Sequence, residues 1–251
     1  MLATSMKFAS RLRSGFALLK PAEFALAPAR CPFCGPTVLV CLRREPIGVR
    51  CVRCAASAVH LSLGWTLQSR IPHLDECDVC ELSARGPLVE FLRRRARSVA
   101  TSEYFPGLAS GTLHAGIRCE DVQQLSYADE SFDLVTHTEV LEHVPDDARA
   151  FVELFRVLRR GGTMIFTVPM HRGDETIERA RLQDGEVVHL LEPVYHNDPL
   201  RSQGILAFRD YGRDILARLR NAGFIETEIC AATGRLPWVA GHDVIVARKA
   251  A

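Results

Sequence analysis

Two cysteine pairs, Cys31-Pro32-Phe33-Cys34 and Cys51-Val52-Arg53-Cys54, form a C-x2-C-x16-C-x2-C pattern. Two tight turns at that spacing present four thiolates, which a d10 ion accepts tetrahedrally. The pattern predicts Zn2+ held by Cys31, Cys34, Cys51 and Cys54. Four protein ligands leave no open position, so the ion is structural. Cys77-Asp78-Val79-Cys80 has the same internal spacing, but it runs into an apolar strand pattern and reads as core. A second constellation is Glu139-Val140-Leu141-Glu142-His143. On one helical turn, positions i, i+3 and i+4 share a face. Such a face can offer two carboxylates and an imidazole to a hard divalent ion. A fourth ligand is needed, and His189 or His196 can supply it. The alternative is a Glu-His pair that only supports the loop.

Composition bounds what these groups serve. The chain has 251 residues, 47% hydrophobic and 24% charged, with a net charge of +1. That is enough chain for one medium domain and a small module. The near-neutral balance argues against broad electrostatic capture of nucleic acid. No apolar run approaches the ~20 residues that span a bilayer. Residues 1–29 are too interrupted for a secretory signal and read as a short helix or a disordered leader. Of the nine cysteines, Cys41, Cys119 and Cys230 sit alone in apolar stretches, as reduced buried thiols do. A reducing cytoplasm is the expected compartment.

From Asp75 onward, short apolar strands alternate with amphipathic helices, which predicts an α/β sheet. Strands are expected at Asp78–Leu82, Ser98–Ser102, Ile117–Cys119, Phe132–Thr136, Thr163–Val168, Ile225–Ala231 and Asp243–Ala247. A helix should begin at Pro87, where a missing N–H costs nothing. Another should begin near Pro145 and run to Gly161-Gly162, burying Phe151, Leu154, Phe155 and Leu158. A last helix is expected at Gly212–Ala222. The organisation is then a leader at 1–30, a zinc-ribbon-like module at 31–56, a connector at 57–74 and a main domain at 75–251.

The ordered set Glu81, Glu103, Asp121, Ser131-Phe132-Asp133-Leu134-Val135, Glu139-Val140-Leu141-Glu142-His143-Val144, Arg156-Val157-Leu158-Arg159-Arg160-Gly161-Gly162 and Ala222-Gly223-Phe224 resembles the class I S-adenosylmethionine-dependent methyltransferases. The resemblance covers roughly 75–251 and implies a seven-strand Rossmann-like methyltransferase sheet, preceded here by the four-cysteine module. It implies that S-adenosylmethionine contacts Glu81, Ser83, Gly86, Glu103, Asp121 and Val122. The physics agrees, because open α/β sheets bind ligands at the carboxyl ends of their strands, with an acid about twenty residues past the first strand on the ribose. One departure is clear. The first loop reads Glu81-Leu82-Ser83-Ala84-Arg85-Gly86-Pro87, with Ser83, Arg85 and Pro87 where the family has glycines.

Methyl transfer needs an aligned acceptor and often a base for its proton. His137 after the fourth strand, and His189 and His196 in an insertion at about 174–210, are the candidate catalytic residues. The insertion reads as an acceptor lid. The expected acceptor is a small-molecule or glycan hydroxyl. Two alternatives stand beside it: RNA methylation guided by Arg43, Arg44, Arg50 and Arg53 on the zinc module, and a non-catalytic scaffold that has lost the cofactor.

Overall fold

The computed structural model describes residues 18–198, 201–231 and 236–251. The expected leader helix lies mostly outside them. Residues 21–30, expected as the end of the leader, are folded instead: after a 3-10 turn at Pro21–Glu23, the chain enters β1 (Ala25–Cys31). β1 pairs antiparallel with β2 (Gly35–Cys41), and β2 pairs with β3 (Val49–Cys51). The register sets Cys31 opposite Gly35 and Leu39 opposite Cys51. Both cysteine pairs therefore fall at one end of the three-stranded sheet. Gly35 and Ala55 take positive φ, 78° and 63°, which bends the chain tightly after each pair.

The connector is helix α1 (Ala58–Arg70). It buries Leu61, Leu63, Gly64 and Leu67, apolar around most of its circumference, as a helix covered on several sides must be. Gly64 lets Pro32 and Phe33 of the first cysteine knuckle approach, and another side packs on the main sheet. One apolar cluster runs from Cys31, Phe33 and Leu39 through α1 to Leu134, Ile165 and Val246. Module and main domain thus share a core.

The main domain contains β4 (Asp78–Glu81), α2 (Pro87–Arg95), β5 (Ser98–Glu103), β6 (Leu113–His114), β7 (Ile117–Cys119), β8 (Phe132–Thr138), α3 (Asp147–Val157) and β9 (Leu158–Thr167). An insertion follows, built of β10 (Ile177–Glu178), β11 (Ala180–Gln183), β12 (Glu186–His189), β13 (Tyr195–Asp198), β14 (Arg201–Leu206) and β15 (Arg209–Asp210). The chain closes with α4 (Ile215–Asn221), β16 (Glu226–Cys230) and β17 (Val244–Arg248). The main sheet is ordered β16-β17-β9-β8-β4-β5-β7-β6. β7, β5, β4, β8 and β9 are mutually parallel, and β17 returns antiparallel beside β9. Among the described residues, no helix is long and apolar enough to cross a membrane.

Three expectations change. The sheet has eight strands, not seven, because β6 folds back on β7. The two-residue turn Ala115-Gly116 has positive φ at both positions, 50° and 77°, the geometry that suits strand twist in a tight hairpin. Second, α3 ends at Val157 and β9 begins at Leu158, four residues before Gly162. Arg159 explains the early stop: its Nη1 reaches Asp78 Oδ2 at 2.9 Å and Asp133 Oδ2 at 2.7 Å across the amino edge of the sheet. Third, β8 extends through His137 to Thr138, so His137 lies inside the strand.

Candidate active site

The chain runs β4, β5, β7 to one side of β4 and then places β8 on its other side. That reversal falls at the carboxyl ends of β4 and β8, the position where open α/β sheets take ligands. Glu81 closes β4 there and is 1% exposed. Thr136 Oγ1 of β8 donates to its carboxylate. Burial pushes the Glu81 carboxyl up to about 8.

The loop after Glu81 is held by its own atoms. Ser83 Oγ donates to Arg85 O at 3.0 Å, and Ala84 N–H donates to Glu103 Oε1 at 3.1 Å. Glu103 ends β5 and so ties the loop to the neighbouring strand. Gly86 keeps φ of 122°, and a Cβ built on it meets only open space. Arg85 is exposed. Asp121 follows β7, half-buried, with Oδ1 accepting from Gln123 N–H at 2.9 Å. Val122 is buried in the core under α3. The structure therefore brings Glu81, Ser83, Gly86, Glu103 and Asp121 to one edge. It leaves space beside Gly86 and polar groups at the strand ends, which fits a nucleoside-bearing cofactor.

Beyond the end of β8, Glu139 has φ of 53°. Its N–H donates to Thr167 O of β9 at 2.9 Å. Burial, and then the charge of Glu142, push its carboxyl up to about 8. The expected helical turn through Glu142 is instead a 3-10 turn, Leu141–His143. Glu142 is 0% exposed, and among the described residues neither of its oxygens has a hydrogen-bond partner. Its Oε1 lies 3.4 Å from His143 Nε2 and 3.7 Å from His196 Nδ1. The two imidazoles stand nearly perpendicular, centroids 4.9 Å apart.

His196 arrives on β13, in the insertion, which forms three two-stranded ribbons: β10 with β15, β11 with β12, and β13 with β14. His143 Nδ1 meets Leu206 O at 2.8 Å, and Phe208 N–H donates to Glu142 O at 2.7 Å, so the insertion is stitched to the turn. Arg209 completes the fastening. It is 3% exposed and donates to the carbonyls of Leu141, Val144 and Pro145. Its role is invisible in sequence, where it is one arginine among many. Only the pairing of β15 with β10 places it under the turn.

One sequence candidate is corrected. His137 is 0% exposed, stacked on Phe166 at 4.6 Å, with neither ring nitrogen hydrogen-bonded among the described residues. Burial lowers its basicity to about 3, so it is a core residue and no acceptor base. His189 is exposed on the β11–β12 ribbon, opposite Ala180, and His196 is the insertion histidine that joins the Glu142–His143 pair. Pro199, at the tip of the segment expected to shape the pocket, lies outside the described residues.

At the far end, the four thiol sulfurs of Cys31, Cys34, Cys51 and Cys54 all lie within 4.8 Å of one another. Cys31 to Cys54 is 3.6 Å and Cys34 to Cys51 is 3.5 Å. A tetrahedral zinc with Zn–S of ~2.3 Å has sulfur–sulfur edges of about 3.8 Å, so the set fits that ion. The arginines around it have local duties. Arg53 Nη1 donates to Cys34 O and Pro36 O, Arg50 Nη1 donates to Val49 O, and Arg43 pairs with Glu45.

Residues 79–166 match the family model of a methyltransferase domain. Sarcosine/dimethylglycine N-methyltransferase of Halorhodospira halochloris is 30% identical over 118 residues, 45% of this chain and 41% of that protein. Demethylmenaquinone methyltransferase of Alkalihalophilus pseudofirmus is 38% identical over 52 residues, 21% of this chain and 22% of that protein. The chain thus spans less than half the length of either curated relative. Among solved structures, an S-adenosylmethionine-dependent methyltransferase from Mesorhizobium loti is similar with a TM-score of 0.49 and 17% identity, over 75% of this chain and 98% of that one.

Proposed function

We propose that the protein is an S-adenosylmethionine-dependent methyltransferase acting on a small-molecule or glycan hydroxyl, with a structural zinc at Cys31, Cys34, Cys51 and Cys54. The observation that carries the reading is the placing of acids at the strand ends of the segment that matches a methyltransferase domain. Glu103 and Asp121, at the ends of β5 and β7, are the acids for a ribose and an adenine. The Glu142, His143 and His196 cluster gathers after β8, where the insertion meets the turn.

The cofactor supplies an electrophilic methyl group on a sulfonium. The chain's residues do the rest. Glu103 accepts hydrogen bonds from ribose hydroxyls while its other contact, Ala84 N–H, keeps the first loop in place. Asp121 faces the base. Glu81 stays buried against Thr136 and supports the loop from below. Opposite them, Glu142, His143 and His196 receive the acceptor, and the lid that carries His196 excludes water from the reacting atoms.

Calorimetric titration with S-adenosylhomocysteine tests the reading. Glu103→Ala removes a charged acceptor from two hydroxyls and should weaken binding by about 1–3 kcal/mol, a loss of roughly five- to 150-fold. A wild-type protein that takes up no ligand at millimolar concentration would be a methyltransferase-like scaffold, its altered glycine loop having lost the cofactor.

A further inference from the structure

The first cysteine knuckle reaches the loop after β4 through two aromatic rings. Phe33 stands between Cys31 and Cys34, and its N–H donates to Cys31 Sγ at 3.4 Å. Its buried ring lies against Phe91 of α2, centroids 5.2 Å apart and planes tilted by 54°, an arrangement that aromatic pairs favour. Phe91 is one turn past Pro87, where α2 begins, and the loop 82–86 leads directly into that residue. Leu88 and Phe91 belong to the same apolar cluster as Cys31, Phe33 and Cys51.

Packing sets where α2 starts. Its N-cap is Gly86, which has no side chain to cap the first turn, and Pro87 follows at the first position. The ring of Phe33 is in turn held from the α1 side. Gln68 Nε2 donates to Pro32 O at 2.6 Å, and Gly64 lets Pro32 and Phe33 sit close on the helix. A knuckle gripped this way passes any shift on to Phe91, because close-packed interiors transmit strain.

We infer that Phe33 is a positioning residue for the cofactor: it seats α2 so that the loop before it holds S-adenosylmethionine, and metal binding at Cys31, Cys34, Cys51 and Cys54 is thereby coupled to cofactor binding. The coupling rests on the cofactor and the zinc of the proposed function. With a metal on the four sulfurs, both ends of the knuckle are fixed, and the Phe33 ring with them. Without it the ring can leave Phe91, and the buried side chains of Leu88 and Phe91 lose cover. The loop is then left to its own ties: Leu82 N–H to Thr136 O, Ser83 Oγ to Arg85 O, and Ala84 N–H to Glu103 Oε1. Linkage makes the effect reciprocal, so the cofactor must also strengthen metal binding.

The test is calorimetric titration of the full chain with S-adenosylhomocysteine, with zinc content measured on every sample. Phe33→Ala should weaken binding by about fivefold or more at unchanged zinc content, and Phe33→Leu, which refills most of the space, should recover most of the loss. Leu219→Ala opens a cavity of comparable cost in the other core cluster. It should stay within about twofold of the wild type, which separates positioning from a general loss of stability. In competition with a chelator, saturating S-adenosylhomocysteine should raise the zinc affinity of the wild type by about fivefold or more, and that of Phe33→Ala by less. If Phe33→Ala fails to fold by circular dichroism, Gly64→Ala, which displaces the same ring, takes its place with the same expectation. Unchanged affinity in these variants, or an equal loss in Leu219→Ala, overturns the inference and leaves the methyltransferase reading intact. A wild type that binds S-adenosylhomocysteine while holding no zinc overturns the coupling alone. A wild type that holds zinc and takes up no S-adenosylhomocysteine at millimolar concentration removes the cofactor reading, and the inference with it.

Discussion

Gly64→Ala tests the joint between the four-cysteine module and the main sheet through the sign of its effect. Gly64 lies mid-way along α1. Alanine in a helix interior is better than glycine by about 1 kcal/mol, so in an open position the change stabilises. Here the added Cβ would sit 2.7 Å from Phe33 Cε1 and Cζ and 2.7 Å from Pro32 Cγ. Carbon atoms pack best at about 3.5–4.0 Å, so the Phe33 ring must retreat by roughly 1 Å. It has little room, because it lies against Phe91 of α2 with centroids 5.2 Å apart, inside a closed core. Overpacking of this kind costs about 1–3 kcal/mol. The net result should be a loss between zero and about 2 kcal/mol, read as a lower urea midpoint with unchanged slope. In a Phe33→Ala background the loss should shrink, since only the Pro32 contact remains, with a coupling of about 1 kcal/mol or more between the two sites. A Gly64→Ala protein more stable than the wild type by about 1 kcal/mol would refute the docking, since it would mean that the knuckle does not seat on α1.

Three other outcomes follow from the same geometry. Protein purified without added metal should contain about one zinc per chain by elemental analysis, and Cys51→Ser with Cys54→Ser should lose it; full retention would remove both residues from the ligand set. Glu81 has its carboxyl raised from 4.5 to about 8 by burial, so the stability tied to its neutral form is complete below about pH 4.5 and disappears as pH rises through 8. At ~1.4 kcal/mol per pH unit the ceiling is roughly 5 kcal/mol. Glu81→Gln is neutral throughout and should gain on the wild type between pH 5 and pH 8.5 by at least about 1 kcal/mol in thermal or urea unfolding; parallel curves would show Glu81 to be hydrated. Nonspecific RNA binding should be weak at physiological salt, given a net charge of +1 and module arginines engaged locally. Submicromolar affinity with a steep salt dependence, abolished by changing Arg43, Arg44, Arg50 and Arg53, would turn the assignment toward RNA.

Much of the fold is legible in the sequence because central strands such as Phe132–Thr138 are largely buried and helices such as Asp147–Val157 carry one apolar face. Ile117–Cys119 and the helix start at Pro87 stand where the pattern predicts them. Strand ends are less legible. Thr136 and Thr138 flank His137 with residues as compatible with a loop as with a strand, and only pairing with Phe166 and Thr167 of β9 carries β8 onward. Glycines are an ambiguous stop signal: Gly161 takes φ of 72° inside β9, and the helix before it ends at Val157, where Arg159 is drawn to Asp78 and Asp133. In the lid, His189 and His196 are chemically alike in the sequence. Their fates separate through ribbon pairing, a long-range property that single-residue patterns do not encode.

The two edges of the sheet hold their acids in opposite ways. At the amino edge, Asp78 and Asp133 are saturated: Arg97 and Arg159 pair with both, and Ser98 Oγ donates to Asp78 at 2.7 Å. At the carboxyl edge, Glu139 and Glu142 are more deeply buried, and among the described residues no arginine pairs with them; Glu142 faces His143 and His196 instead. Arg209 lies under the same turn, yet it binds the carbonyls of Leu141, Val144 and Pro145, with its charge shared between Asp147 and Glu178. Folding alone would favour turning a guanidinium toward Glu142, or replacing Glu142 with leucine. A sequence that fixes the backbone with an arginine and leaves the carboxylates facing two imidazoles gives up stability at this turn. The turn follows β8 at the carboxyl edge, where open α/β sheets take ligands.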